Sequence, residues 1–303
     1  MFSTWARRAT AFKEPILNGL AVLNPSSLPV RVVVKLLILG VVVFLVLFPR
    51  PGLFVRQVHR LRHLDELIEP NSPALAQWHA QLQAELPGHL SPLQLQKRVE
   101  AFVYKHIPYD WDWNTWGVVD YTPTVEELLL KGREDCDGRA VLAASLLRRM
   151  GQDAHLVADL KHMWVAVGSH ELMSPGRTRS LISTPTGSRF NWRTLWHVPR
   201  SLAFGIGVFP LGRELVVLAT LVVLLSHPHM GRSPFLVGVV LLLDALLFLR
   251  LAVYAEPRAN LLVERNWPSW IGLVHLLAGL TCLWWAARRA RHRFAAASGL
   301  PKN

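Results

Sequence analysis

The chain has 303 residues, 51% of them hydrophobic, with a mean hydropathy of +0.26 and a formal net charge of +12. This is too apolar for an ordinary soluble domain, and the apolarity is concentrated in runs at Val30–Phe48, Gly205–Ser226, Phe235–Ala255 and Trp270–Ala286, each near bilayer-crossing length. The charge excludes nucleic-acid binding: between Gly52 and Phe204 seventeen Lys/Arg face sixteen Asp/Glu, a net of +1, so the other +11 flanks the apolar runs.

Residues 1–29, with Arg7, Arg8 and Lys13 among several prolines, read as an irregular basic segment. Residues 30–48 form the first predicted span, and Arg31 and Lys35 can snorkel toward headgroups. Phe48-Pro49-Arg50-Pro51 follows in place of a small-residue cleavage site, so a retained anchor is expected. From Leu53 the chain is amphipathic, with Val58, Leu61, Leu64, Leu67 and Ile68 on one face. Ser72-Pro73 and Ser91-Pro92 each place a capping residue before a proline at the first helical position. The stretch Ile107–Tyr121 mixes five aromatics with Asp110, Asp112 and Asp120; it reads equally as core filling or as the wall of a substrate cleft. Thr124 with Glu127 opens a short helix ending at Gly132.

The segment Glu134–Val167 carries the chemistry. Asp135 is placed to cap a helix that Cys136 opens and Gly151 ends, with Arg148 and Arg149 in the last turn, where cations suit the dipole. Two β-prone runs follow, His155–Val157 and Met163–Val167, joined through Asp159–Lys161, and His162 opens the second. A thiol at a helix N-terminus has its thiolate favoured by unpaired N–H groups, and a His from an adjacent strand can act as its base. Cys282 lies inside the last apolar run, so Cys136 stands alone in the polar region and an intradomain disulfide is excluded.

Cys136 opening a helix, Leu147-Arg148 with Gly151, and His162-Met163-Trp164 together resemble the transglutaminase-like superfamily, whose papain-like core serves cysteine peptidases and acyltransferases. The resemblance covers roughly Gln94 to Pro175 and implies an α+β fold, here inserted between transmembrane helices, one before and three after. It also implies a Cys–His–acid triad. Glu134 stands where that family has Gly, and Ser174 stands before Pro175 where it has Asp. Ser174 is thus the implied third member, with Glu171 and Asp159 as nearby carboxylates able to replace it; strand alternation sets Glu171 on the face opposite Ser174.

Past Pro175 the chain shows little periodicity, and Arg189, Trp192, Arg193, Trp196 and Arg200 suit a membrane-surface segment. The whole divides into an extracytoplasmic domain at 52–200, further spans at 205–226, 235–255 and 269–287, and a basic tail at 288–303. Arg288, Arg289, Arg291 and Arg293 place the tail in the cytoplasm; four spans then put the N-terminus there too and the Cys136 domain in the periplasm, with the protein multi-pass in the inner membrane. Within the spans, antiparallel packing would set Glu214 and Arg250 at similar depth as an ion pair, and Asp244 and His275 are further buried ionisable groups.

The expected function is that of a thiol enzyme, a peptidase or amidohydrolase ahead of an acyltransferase, acting on an extracytoplasmic protein or peptide without cofactor or metal. The bilayer is its other partner, and the spans offer a surface for a membrane-protein partner. A decayed domain serving as a membrane-bound scaffold is the alternative. A zinc site from Cys136, His155, His162 and His170 is a third reading, though the set lacks paired metal-ligand spacing.

Overall fold

The computed structural model describes residues 27–174, 179–255 and 267–298. The chain is α+β, with one five-stranded antiparallel sheet and several long apolar helices. It divides into a polar unit, residues 47–202, and a helical unit built from the described residues before and after these. Of the sequence readings, most of the N-terminal segment, Pro175 and the last five residues of the basic tail lie outside the described residues.

After the apolar helix α1 (Leu28–Leu47), the polar unit opens with α2 (Pro51–Arg62) and a 3₁₀ turn at Leu64–Leu67. Helices α3 (Pro73–Glu85) and α4 (Pro92–His106) both begin with proline at the first turn. At α4, Ser91 Oγ accepts from Gln94 N and Gln94 Oε1 accepts from Ser91 N, a reciprocal cap; Ser72 makes no such side-chain bond. A single turn, α5 (Asp112–Thr115), precedes α6 (Val125–Lys131), which is capped by Thr124 with Glu127 and ended by Gly132 at φ +66°.

Helix α7 (Cys136–Arg149) is the centre of this unit. Ala140 through Leu147 are all buried, so it needs packing on every side. It receives β1 (Ala154–Ala158) and β2 (Met163–Val167) on one side and α3, α4 and α6 on others. Gly151, at φ +77°, ends it, and Gln152 N bonds Leu147 O. In the β1–β2 hairpin Val157 pairs with Trp164 and Ala158 with Met163. Period-2 alternation then sends Met163, Val165 and Val167 into the α7 core, and Trp164 and Ala166 to the opposite face.

Three further strands complete the sheet: β3 (His170–Leu172), β4 (Leu181–Thr184) and β5 (Gly187–Phe190), in the order β3-β2-β1-β4-β5. The β4–β5 hairpin corrects the aperiodic reading of this stretch: two four-residue strands are too short to show alternation, and their turn relies on Gly187 at φ +125°. Only the following 3₁₀ segment, Trp192–His197, presents the expected exposed aromatics, with Trp192 73% and Trp196 89% accessible.

In the helical unit, α1, α10 (Arg232–Ala255) and α11 (Trp267–Ser298) contain segments long and apolar enough to cross a membrane. The second predicted span is corrected. It is two helices, α8 (Val198–Val208) and α9 (Leu211–Leu225), and the chain bends by 116° at the break between them; counted as one broken span they make a fourth. Pro210 supplies the reason, since it offers no N–H to continue a helix. The last helix also runs on to Ser298, past the boundary read at residue 287.

Glycines let α10 and α11 approach closely: a Cβ on Gly279 would lie 3.0 Å from Gly238 O and 2.9 Å from Leu242 Cγ. Arg250 spans the break, donating 2.7 Å to Phe209 O at the end of α8 and pairing with Glu214 at the start of α9. Asp244 pairs with His275 between α10 and α11. Arg250→Met strips Glu214 of its counter-charge and Phe209 of its donor. It is expected to cost about 3–5 kcal/mol, the range for breaking a buried pair from one side. Thermal unfolding in detergent checks this, and an unchanged midpoint would show that the pair does not hold the break.

Candidate functional site

The site begins at the first turn of α7. Asp135 Oδ1 accepts from Asp137 N at 3.0 Å, the N-cap bond read from the sequence. The Cys136 thiol donates to Asp137 Oδ1 at 3.3 Å and lies near enough to the backbone N–H of Met163, the first residue of β2 and immediately after His162, to feel its field. Close packing depends on Gly138: a Cβ there would meet Glu134 Cγ at 2.1 Å and Leu128 Cδ1 at 2.6 Å.

The electrostatics around this thiol run opposite to the expectation from the helix N-terminus. Burial, followed by the neighbouring Asp135 and Asp137 carboxylates, pushes the Cys136 thiol well above its usual range, and the Met163 N–H only partly offsets them. Burial is the larger cause, and the dipole, whose effect is worth a fraction of one charge, does not offset it. Cys136 is therefore held as the neutral thiol.

The acids themselves are buried. Glu134 is fully inaccessible, Asp112 is 1% exposed, and Asp135 and Asp137 are 9% and 7% exposed. Asp112 Oδ2 accepts from Tyr121 N at 2.6 Å, Glu134 Oε2 from Trp116 Nε1 at 2.8 Å, and Asp137 Oδ2 from Thr122 Oγ1 at 3.1 Å. Gln57 of α2, 2% exposed, joins this network through Thr122 and Asp120. Among the described residues, no donor reaches Asp112 Oδ1 or Glu134 Oε1. Asp112, Glu134 and Asp135 bring their oxygens within 4.8 Å of one another, close enough to share protons or to hold a hard cation. Burial raises Asp112 and Asp135 well above the carboxylate range, and burial with Asp120 nearby lifts Asp137 to about 7.

His162 stands at the β1–β2 turn, half-buried, its N–H donating 2.8 Å to Asp159 Oδ1, which also accepts from Lys161 N at 2.6 Å. Asp159 thus closes the hairpin and fixes the backbone at His162. Ser174 donates to Glu171 Oε2, and Arg179 Nε donates to Glu171 Oε1 at 2.7 Å. This corrects the expected opposition of Glu171 and Ser174. Strand β3 ends at Leu172, and Met173 adopts φ +60°, a left-handed turn that breaks the alternation and swings Ser174 back to Glu171. The Met173 N–H is taken by Glu100 Oε1 at 2.9 Å.

The zinc set is not assembled. His155 pairs across the ladder with Ala166 and His170 with Val167, at the end of β2 opposite His162, and His155 Nε2 lies 3.2 Å from Asp153. The aromatic stretch divides between its two readings: Tyr121 and Trp116 are core, while Trp111 and Trp113 stack at 4.6 Å beside half-exposed Tyr109. Arg139 lies over both the Tyr104 and Tyr109 rings and donates to Ile107 O, and both phenols lie within electrostatic reach of the Cys136 sulfur. Neither Arg139 nor the Asp112–Glu134 contact carried a motif. No family model, curated protein or solved structure matches the chain.

Carboxyls raised in the folded state retain protons that the unfolded chain has lost above about pH 4. Stability is therefore full below that pH and falls as pH rises toward about 7, where Asp137 titrates. The melting midpoint is expected to be lower at pH 8 than at pH 5, and Asp112→Asn, which keeps an acceptor for Tyr121 N and adds a donor toward Glu134, is expected to raise it at pH 8. A lower midpoint in that variant contradicts proton sharing, and a midpoint that drops on EDTA addition identifies a cation instead.

Proposed function

We propose that this chain is a membrane-anchored, transglutaminase-like thiol enzyme that hydrolyses an amide bond in an extracytoplasmic protein or peptide. The observation that carries the reading is the Cys136 sulfur seated at the N-terminus of α7 against the Met163 N–H, one residue from His162. In this reading His162 removes the thiol proton as Cys136 Sγ bonds to the substrate carbonyl carbon. The Cys136 N–H at the helix start helps hold the oxyanion, and His162 then passes the proton to the leaving amine. Water, activated by the same imidazole, releases the acyl group. Because burial, with the acids beside it, keeps the resting sulfur protonated, proton removal is coupled to attack and does not precede it. The half-exposed Tyr109, Trp111 and Trp113 would line the approach. Ser174, at the position of the family's Asp, donates to Glu171, which Arg179 also holds, and in this reading that carboxylate is the third member. The basic ends of the spans support placing the Cys136 domain in the periplasm and the protein in the inner membrane.

The setting of the thiol favours the second reading, a non-catalytic scaffold, since burial and then the neighbouring acids push it up and oppose its ionisation. Labelling with an electrophilic probe separates the two. On the enzyme reading, Cys136 reacts with a substrate-like acyl electrophile, and His162→Ala slows that reaction by roughly 10²–10⁴. Simple alkylation by iodoacetamide is slow at pH 7 and climbs through pH 9, and Asp137→Asn accelerates it at pH 7. Acylation indifferent to His162 supports the scaffold.

The third member of the triad is tested by peptide hydrolysis. Ser174→Ala is expected to cost only a few-fold, because Arg179 still holds Glu171, whereas Glu171→Gln is expected to cost at least about 10² if its charge supports the imidazolium. Equal small effects would remove Glu171 from the mechanism.

A further inference from the structure

Thr122 is wholly buried just ahead of α6, and its polar atoms are held from one face of α2 by Gln57 and Arg60, one turn apart. The Thr122 N–H donates to Gln57 Oε1 at 2.8 Å, its carbonyl accepts from Arg60 Nη1 at 2.8 Å, and its hydroxyl lies 3.2 Å from Gln57 Nε2. On its other side the same hydroxyl lies 3.1 Å from Asp137 Oδ2, and Asp137 Oδ1 lies 3.3 Å from the Cys136 sulfur. An unbroken run of side-chain contacts therefore joins α2 to the thiol.

The direction of each bond in this run follows from its fixed donors. A backbone N–H can only donate, so the amide oxygen of Gln57 faces Thr122 N, and its amide nitrogen faces Asp120 Oδ2 at 2.6 Å. With the amide fixed at both ends, Nε2 presents its other hydrogen to Thr122 Oγ1. Turning the hydroxyl toward Nε2 would set two hydrogens against each other, so its own hydrogen goes to Asp137 Oδ2. Asp137 then accepts on both oxygens, at Oδ2 from Thr122 and at Oδ1 from the Cys136 S–H. Gln57 is 2% exposed and Thr122 is fully inaccessible, so water does not compete for these bonds.

We propose that Gln57 is a positioning residue for Cys136, acting through the Thr122 hydroxyl and Asp137 to aim the thiol proton at Asp137 Oδ1 and to hold the sulfur in one rotamer. The proposal rests on the reading of Cys136 as the nucleophile. A carboxylate anchored from behind gives the S–H one resting direction, and the sulfur is then in a fixed place when a substrate carbonyl and the His162 imidazole reach it. Without the amide, the Thr122 hydroxyl is free to turn, Asp137 loses its fixed donor, and the sulfur loses the acceptor that orients it.

The full chain in detergent at pH 8 tests this with two readouts. One is the S–H stretching band of Cys136, isolated as the infrared difference between each protein and its Cys136→Ala form. The other is acylation by the substrate-like electrophile, resolved into maximal rate and half-saturating concentration. Thr122→Val keeps the side-chain shape and removes only the hydroxyl, while Gln57→Leu removes the amide. Each is expected to move the band to higher frequency, as loss of a hydrogen bond does. Each is also expected to lower the maximal rate by about 10-fold at unchanged half-saturation, within the roughly 10² that a 1 Å misplacement can cost. Thr122→Ser, which keeps the hydroxyl, restores both readouts. The double variant is expected to match Thr122→Val alone, because both changes break one relay; additive losses overturn the proposal, since the two residues then act separately. If Gln57→Leu does not fold, Thr122→Val with Thr122→Ser carries the test. A band and a maximal rate unchanged in Thr122→Val overturn the proposal, and leave the enzyme reading standing where His162→Ala still slows acylation. Acylation indifferent to His162, with a band that still shifts, removes the enzyme reading and the positioning role with it, and leaves the relay as architecture.

Discussion

Burial of negative charge beside Cys136 is the constraint on which the polar unit depends. Glu134, Asp135 and Asp137 come from the cap and first turn of α7, and Asp112 comes from the short α5. Each buried carboxylate is costly unless it is hydrogen-bonded or protonated. The fold answers with donors drawn from distant parts of the chain: Tyr121 N, Trp116 Nε1 and the Thr122 hydroxyl, with Gln57 bracing Thr122 from α2. Where donors run out, at Asp112 Oδ1 and Glu134 Oε1, a proton or a cation has to complete the arrangement.

The same constraint shapes the chemistry. A thiol among carboxylates is a poor nucleophile at rest, and its reactivity depends on what removes its proton. The hairpin that presents His162 is therefore held firmly: Asp159 takes two successive backbone N–H groups in the turn, and Ala158–Met163 pairing starts the ladder directly after it. Both ends of the candidate pair rest on rigid elements, the sulfur on a wholly packed helix and the imidazole at the mouth of a two-stranded turn.

The helical unit solves a different problem with related means. In an apolar surrounding, a broken helix leaves carbonyls without partners. Arg250 supplies the donor to Phe209 O and takes its own counter-charge from Glu214. Close helix approach at Gly238 and Gly279 then provides packing that water cannot drive between lipid-facing surfaces.

Local signals determined much of this. Asp135 capping α7, Gly151 ending it, the Thr124–Glu127 box and the hairpin before Trp164 all rest on bonds between residues two to five apart, and such bonds are legible in order along a sequence. The apolar helices α1, α10 and α11 were legible because length and hydropathy alone set them, whereas the bend at Pro210 was not. The Glu214–Arg250 pair was legible too, because antiparallel helices convert sequence position into depth. Tertiary structure decided the rest. Asp112 meets Glu134 across 22 positions and Gln57 meets Thr122 across 65, contacts that no period encodes. Glu171 and Ser174 are close in sequence, yet they meet only because Met173 turns left-handed, with its N–H drawn to Glu100 from α4. The thiol's protonation was misread for the same reason. A helix N-terminus can be recognised from its cap, but the burial that outweighs its dipole is set by how the rest of the fold closes over the thiol.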